Sequence, residues 1–203
     1  FKPPFLVDDS SKVKGHAILT SASADEAAQE SDRLGASFFT HYLLSGLKGA
    51  ADTSNDGRVT LNEAYHFAFN ETLARTAQTS AGAQHPEYDI NLSGSGDLVM
   101  TDLRVATGGL VLAPDVDGRL FVRDGLGRLA AELRKHPGRP VELGLEPGDY
   151  VVTLVKDDEP YGLRAVIGDR KRTTLSFPQF AKLPREFAQA RGDVEPRVAK
   201  ASP

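Results

Sequence analysis

The chain has 203 residues, of which 40% are hydrophobic and 26% are charged. These values are ordinary for a globular protein and allow one large domain or two small ones. Cysteine is absent, which excludes disulfides, zinc–thiolate sites and a cysteine nucleophile from this chain and makes a cytoplasmic protein the expectation. The net charge of -4 argues against nucleic-acid binding, and no apolar run approaches the ~20 residues of a membrane span.

The charges are divided unevenly along the chain. Acidic side chains outnumber basic ones up to residue 103, whereas basic side chains are in slight excess after it. We therefore predict two regions, residues 16–103 and residues 104–180. A polar linker over residues 1–15 precedes them, and a tail over residues 181–203 follows them.

The first predicted element is a strand in the segment HAILTSAS. Its centre, residues 17–20, is a short apolar run that ends in small polar side chains. This pattern is typical of a buried strand whose carboxyl end opens into a site. The polar residues that follow predict a surface loop.

Two helices are predicted next. Apolar side chains recur at helical spacing from residue 38 to residue 47, Ser37 can cap this helix, and Gly46 or Gly49 can end it. A second amphipathic stripe runs from Leu61 to Leu73 and predicts the second helix.

The first region closes with a long loop and a short strand. Residues 78–96 are rich in turn formers and predict the loop, and the apolar segment DLVMTDL predicts the strand. The order is therefore strand, helix, loop, helix, strand. Two strands and two helices bury too little apolar surface for an independent core, so this α/β region is expected to need additional strands.

Between the predicted helices, residues 50–63 read AADTSNDGRVTLNE. Their spacing follows an EF-hand calcium loop, with Gly57 at the sharp turn. The oxygen ligands would be Asp52, Ser54, Asp56, Arg58 through its carbonyl, Thr60 and Glu63. Three of these six ligands are carboxylates, so the pattern predicts one Ca²⁺ site of modest affinity. The alternative is a plain turn followed by a helix cap.

After residue 104 the pattern changes to short apolar segments that Gly, Pro and Asp separate. They recur at intervals of roughly 8 to 12 residues, which is typical of a small all-β sandwich. The segments are GGLVLAP, GRLFVRDG, RLAAELRK, RPVELGLEPG, DYVVTLVKD, YGLRAVIG and KRTTLSF. Tyr150, Val152 and Leu154 alternate and are predicted to enter the core. Five arginines are predicted to form either a solvated surface or a basic docking face: Arg119, Arg123, Arg128, Arg134 and Arg139.

Several motifs of the first region occur in an order that resembles a known family. They are ILTSASADEAAQES, then FFTHYLLSGLKGAADTSNDGRVTLNEAYHFAFNETL, then AQHPEY and GSGDLVMTDL. Together they resemble the small-subunit half of bacterial caspase-like cysteine proteases, which are relatives of metacaspases. The resemblance covers roughly residues 13–103.

The resemblance implies an α/β caspase-like half-domain, followed here by the β-sandwich. The catalytic His and Cys would lie upstream, in a large-subunit half of the same precursor, which is the expected partner. The chain begins with Phe1 instead of Met and is expected to be part of a longer protein. The histidines of this chain are expected to be structural or exposed: His16, His41, His66, His85 and His136.

Metacaspase-type relatives use acidic residues after the equivalent strand to receive the Arg or Lys that precedes the scissile bond. The resemblance therefore implies that Asp25 and Glu30 bind substrate, with Ser21 and Gln29 as neutral neighbours. A carboxylate favours a guanidinium through paired, charge-assisted hydrogen bonds. The alternative is a solvated acidic loop without a binding role.

These inferences favour an endopeptidase that cleaves protein or peptide substrates after Arg or Lys. The Ca²⁺ ion would stabilise or activate it, and neither nucleic acid nor a membrane is an expected partner. Two alternatives stay open: a calcium-binding interaction module without enzymatic activity, and a catalytically dead caspase-like scaffold.

Overall fold

The structure is a computed structural model that describes residues 13–23, 28–31, 36–77, 79, 82–94 and 97–184. Within these residues the protein is of the mixed α/β class, with two α-helices and many short strands in several sheets. No helix in the described part of the chain is long and apolar enough to cross a membrane.

The first sheet consists of strands β1 (Val13–Thr20) and β5 (Glu87–Gly94), which pair antiparallel. Strand β1 begins within the predicted linker. The prediction of a loop throughout residues 78–96 is wrong, because β5 lies inside that segment. Tyr88, Ile90 and Leu92 alternate with polar residues, and this period of two places them on one face of the sheet.

Strand β1 is present where it was predicted, but it is not buried. Residues Lys14 to Ile18 are exposed, and the Ile18 side chain is 54% accessible. The face of this two-stranded sheet that carries Ile18 is not covered by the described residues. Among these residues β1 pairs only with β5, so one of its edges carries no partner. Leu19, on the other face from Ile18, packs against the helices.

Helix α1 (Phe38–Ser45) follows the short antiparallel pair β2 (Glu30–Ser31) and β3 (Ala36–Ser37). Ser37 caps the helix as predicted, because its side chain accepts a hydrogen bond from the Thr40 N–H at 3.2 Å. A π-helical turn, Gly46–Ala50, extends the helix and contains Gly49 at φ 119°.

Helix α2 (Leu61–Thr76) lies next to α1 and begins with a capping box formed by Thr60 and Glu63. Strand β4 (Arg58–Thr60) precedes it and pairs with β6 (Val99–Asp102). A 3₁₀ helix, Leu103–Val105, then leads into the second region. The two α-helices share a small aromatic core of Phe39, Tyr42, Tyr65 and Ala68.

Each of the seven predicted segments of the second region contains one strand. These strands are β7 (Gly109–Leu112), β8 (Gly118–Asp124), β9 (Leu129–Lys135), β10 (Val141–Gly144), β11 (Gly148–Lys156), β12 (Glu159–Ile167) and β13 (Arg172–Leu175). After a 3₁₀ helix, Phe177–Gln179, strand β14 (Ala181–Lys182) lies within the predicted tail.

The eight strands form two sheets around one core. One sheet has the order β10-β7-β13 and the other has the order β14-β12-β11-β8-β9. Both sheets contribute to a single apolar cluster, in which Leu110 and Leu143 of the first sheet meet Leu120, Val152 and Leu154 of the second. Full burial of each such side chain contributes roughly 1.5–3 kcal/mol. The alternating pattern therefore accounts for this core.

A buried polar network joins the helices to strands β8 and β9. The Glu132 carboxylate on β9 accepts hydrogen bonds from the Tyr42 hydroxyl at 3.2 Å and from Arg119 Nη1 at 2.6 Å. His41 Nε2 lies 3.4 Å from the other carboxylate oxygen. Arg119 also donates to Glu71 on α2 at 2.9 Å. Arg119 therefore does not belong to a solvated or docking face, because two carboxylates hold it at the junction.

The four other predicted arginines also have partners. Arg128 pairs with Asp124, Arg134 lies 3.4 Å from Asp117, and the Arg139 guanidinium is 3.5 Å from the Thr53 carbonyl. Arg123 donates to the Gly127 carbonyl.

The network also fixes the charge state of Glu132. Burial by itself would raise the pKa of this carboxyl, but the contact with His41 and the positive charge of Arg119 outweigh it and lower the pKa below its ordinary value. Burial raises the pKa of Tyr42, and the Glu132 charge adds to this shift. The carboxylate is therefore ionised while the phenol keeps its proton, as the hydrogen bond between them requires.

We expect Glu132→Gln to lower the free energy of unfolding at pH 7 by about 3 kcal/mol, because Arg119 loses a buried partner. The pKa of Glu132 is depressed in the folded state, so its contribution is present above the ordinary value of 4.5 and is lost as the pH falls through the folded value. Urea denaturation of the wild type and the variant at pH 7 and pH 3 measures this difference.

Glu146→Gln removes the same charge from an exposed position and serves as the control, with stability expected near that of the wild type. A difference between wild type and Glu132→Gln that is as large at pH 3 as at pH 7 would contradict the assignment.

Candidate functional site

The first candidate site is the loop at the carboxyl end of β1, where four substrate-binding residues were predicted. Ser21 and Gln29 are half-buried, and Glu30 is exposed at the start of β2. Asp25 lies outside the described residues, so the structure places three of the four residues. Ser21 and Gln29 are brought together by hydrogen bonds to a third residue, which was not among the predicted site residues.

That residue is Gln84, whose side chain is fully buried. Its amide nitrogen donates to the Ser21 carbonyl, and its amide oxygen accepts from the Gln29 N–H at 2.8 Å. Its own backbone N–H donates to Thr76 Oγ1 at the end of α2, also at 2.8 Å. One amide group therefore ties both ends of the acidic loop to the helix.

The Gln29 side chain forms further hydrogen bonds that support the same anchor. Its amide oxygen accepts from Thr79 Oγ1 at 2.7 Å, and its amide nitrogen donates to the Gly82 carbonyl at 2.7 Å. In this arrangement Gln29 positions the loop instead of facing a substrate. Glu30, by contrast, has an exposed side chain with no hydrogen bond or ion pair to another described residue.

Tyr65 on α2 holds the segment that carries Gln84. Its hydroxyl donates to the Pro86 carbonyl at 2.8 Å, and its ring contacts the Tyr88 ring edge-on with centroids 4.5 Å apart. Burial raises the pKa of the Tyr65 phenol, which keeps it a donor. The aromatic contact and the amide anchor therefore fix Ser21, Gln29, β5 and α2 relative to one another.

The second candidate site is the predicted calcium loop between α1 and α2. Asp52 stands at its first position and accepts hydrogen bonds from the Gly57 N–H at 3.0 Å and the Asp56 N–H at 3.2 Å. Ser54 Oγ donates to the same carboxylate at 3.2 Å. Partial burial outweighs these hydrogen bonds and raises the pKa of Asp52. This carboxylate closes the loop onto its own backbone.

Glu63 closes the other end of the loop. Its Oε1 accepts from the Thr53 N–H at 3.2 Å, the Thr53 hydroxyl at 3.0 Å and the Ser54 N–H at 3.1 Å. Its Oε2 accepts from the Thr60 N–H and hydroxyl, both at 3.0 Å. Burial would raise the pKa of Glu63, but the N–H groups of Thr60 and Ser54 outweigh it and lower the pKa.

Asp56 and the Arg58 side chain form other contacts of the loop, whereas the predicted ligand at position 58 was the backbone carbonyl. Asp56 accepts from the Arg58 N–H at 2.8 Å, and the Arg58 guanidinium lies 3.6 Å from Asp102. Within the described residues no group of three His, Asp or Glu side chains is gathered as metal ligands. The donor atoms have the oxygen chemistry that Ca²⁺ prefers. The hydrogen bonds of Asp52 and Glu63 are also those of the turn and helix cap of the alternative interpretation.

The histidines lie apart from both candidate sites, except that His85 is adjacent in sequence to Gln84. His16, His66 and His136 are exposed, and His41 is buried in the Glu132 network. His85 is exposed next to Gln84 in the chain. With no cysteine in the sequence, these imidazoles have no thiol partner within this chain.

The chain has no significant match among protein-family models, curated proteins or solved structures. The roles assigned to the acidic loop and to the calcium-like loop therefore depend on the contacts described above and on the sequence motifs.

We expect Gln84→Ala to loosen the acidic loop, because it leaves the Ser21 carbonyl and the Gln29 N–H without their buried partner. An unsatisfied buried polar group costs about 1–3 kcal/mol, so protection of the Gln29 amide against hydrogen exchange should fall by about tenfold or more. Asn70→Ala, at an exposed position of α2, is the matched control. Unchanged exchange at Gln29 in the Gln84 variant would remove the anchoring role.

Proposed function

We propose that this chain forms the substrate-pocket part of a caspase-like cysteine endopeptidase that cleaves after Arg or Lys. The observation that carries the proposal is the Gln84 anchor, which fixes both ends of an acidic loop at the carboxyl end of β1. In the proposed caspase-like fold β1 would join an open α/β sheet, whose ligands bind beyond the carboxyl ends of its strands. A loop that is held at both ends in this position is suited to present carboxylates to a substrate.

The exposed carboxylate of Glu30 supports a basic specificity. It stands beside the Gln29 anchor and has no cationic partner among the described residues. A substrate Arg or Lys would supply that partner through charge-assisted hydrogen bonds. Asp25, in the same loop, is proposed as the second carboxylate on the basis of the sequence resemblance.

The proposal requires a catalytic His and Cys from another segment, the large-subunit half of the same precursor. The edge of β1 that has no partner among the described residues supports this requirement, because such an edge offers backbone N–H and C=O groups to a further strand. The thiolate would attack the scissile carbonyl, and His would give a proton to the leaving amine. Water then hydrolyses the acyl-enzyme and frees the thiol. This chain would bind and orient the basic side chain.

We further propose that Ca²⁺ binds the loop between α1 and α2 weakly. Asp52 and Glu63 already face the loop interior, and their carboxylate chemistry suits a hard cation. Binding would require Glu63 Oε1 to give up its hydrogen bonds from Thr53 and Ser54. That exchange limits the affinity and makes a stabilising role the simpler proposal.

The precursor with an intact thiol is expected to cleave peptides with Arg or Lys before the scissile bond and to leave peptides with Asp there uncut. Glu30→Gln should lower kcat/KM for the basic substrates by about tenfold or more, since a hydrogen bond to a charged group contributes roughly 1.5–3 kcal/mol. Steady-state kinetics are measured on three peptide series, with Arg, Lys or Asp before the scissile bond, in the presence and absence of Ca²⁺. They give the cleavage specificity and the change in kcat/KM caused by Glu30→Gln.

Asp97→Asn, an exposed acidic position outside the loop, is the control and should leave kcat/KM unchanged. Absence of cleavage of all three peptide series would contradict the protease proposal and favour a non-enzymatic scaffold.

Calorimetric titration with Ca²⁺ is expected to give heat of binding for the wild type and none for Glu63→Gln. The amide keeps an oxygen that can accept from Thr60, so the helix cap is retained, while the negative charge at the last ligand position is lost. Asp97→Asn is again the control. Identical isotherms for the wild type and Glu63→Gln would remove the metal from the proposal.

A further inference from the structure

We propose that a pocket in the second region binds a small organic ligand through its carboxylate or phosphate group. The pocket has a volume of about 550 Å³ and lies between the 3₁₀ helix Leu103–Val105, strand β10 and the turn that joins β12 to β13. The pocket is open to solvent, since the side chains of Arg104 and Val105 in its lining are more than half exposed. This site shares no residue with the acidic loop or the calcium-like loop, so it is independent of the proposed protease function.

Three guanidinium groups line the pocket, and one of them is structural. Arg172 forms an ion pair with Glu142 and donates to the Leu103 carbonyl at 2.6 Å and the Ala106 carbonyl at 3.2 Å. These bonds fix the wall of the pocket. They also neutralise Glu142, the carboxylate in the lining that would otherwise repel an anion.

The other two guanidinium groups keep free donors. Arg104 uses Nε and Nη2 to bind Asp102, which leaves Nη1 without a hydrogen bond to a described residue. The Arg170 side chain is exposed and has no hydrogen bond or ion pair to any described residue. An oxyanion in the pocket would give both groups a partner. Guanidinium groups suit this role because their planar N–H donors match carboxylate and phosphate oxygens.

The backbone at Arg170 gives a second, independent reason to assign a role to this residue. Its φ of 53° lies in the left-handed region, which favours Gly or Asn and is unfavourable for arginine. Its N–H donates to the Thr107 carbonyl, so the turn is tied to the opposite side of the pocket. Strained residues of this kind concentrate at binding sites. A residue chosen for the turn alone would be Gly or Asn.

The apolar part of the ligand is indicated by Val105. Its side chain lines the pocket and is 60% exposed, so it offers an apolar surface beside the guanidinium groups of Arg104 and Arg170. A ligand with a flat apolar group joined to an oxyanion would cover Val105 and pair with Arg170. Benzoate and phenyl phosphate are suitable probes of the two oxyanion types, and benzamide is the neutral analogue of benzoate.

The test is a titration of the ¹⁵N-labelled protein with the three probes, followed by NMR. Benzoate or phenyl phosphate should shift the amide signals of Val105, Thr107 and Arg170 with saturation, and benzamide should not. Arg170→Gln should weaken binding by about tenfold or more, as expected for loss of a charged hydrogen bond. Arg164→Gln removes the same charge from an exposed position of β12 outside the pocket and should bind as the wild type does.

Arg170→Gly separates binding from folding. Glycine accepts the left-handed conformation, so this variant should melt at a temperature no lower than the wild type while it loses affinity as Arg170→Gln does. The proposal is overturned by any of three results: no saturable shift with either anion, equal shifts with benzamide, or Arg170 variants that bind as tightly as Arg164→Gln. An acidic peptide that binds more tightly than both small anions would assign the same site to a protein carboxylate.

Discussion

The ion pair between Glu132 and Arg119 is the contact on which the arrangement of the two regions depends. Glu132 receives the Tyr42 hydroxyl from α1, and Arg119 reaches Glu71 on α2. Two strands of the sandwich thereby fix both helices. Such a buried pair adds little net stability over apolar packing, but loss of one partner leaves an uncompensated charge.

The position of the acidic loop depends on this ion pair. Helix α2 carries Glu71 toward the sandwich and Thr76 toward Gln84, and Gln84 holds the two ends of the loop. Helix α2 thus connects the hydrogen bonds of Glu71 to strand β8 with those of Thr76 to the segment that holds the carboxyl end of β1. In the proposed function the sandwich has no catalytic group of its own. It supports the helices that position the proposed substrate-binding loop.

Local patterns were sufficient to predict much of the fold. The helix that begins at Leu61 was predictable from its apolar stripe, and Thr60 and Glu63 are the capping-box pair that marks its start. The sandwich strands were predictable because their inward residues alternate, as at Val152 and Leu154. Strand β5 was missed because Gly, Ser and Pro surround it and the alternation of its apolar residues is short.

The contacts that decide the site were not predictable in this way. Gln84 meets the Ser21 carbonyl across 63 residues of chain, and neither residue carries a local signal of that pairing. Arg119 looked like a surface residue because its two carboxylate partners are brought to it only by tertiary packing. Side-chain type and spacing predict elements, whereas a buried amide or ion pair is defined by what the fold brings beside it.

The approach of Gly49 to β10 has a consequence for how the chain can be divided. A side-chain carbon at residue 49 would lie 2.1 Å from the Glu142 carbonyl oxygen, so the helical region and the sandwich touch through bare main chain at this point. Cutting the protein between residues 103 and 104 to express either part alone would expose this surface to solvent. The helical region and the sandwich should therefore be expressed together, even though the sequence of the first predicts an α/β region and that of the second an all-β region.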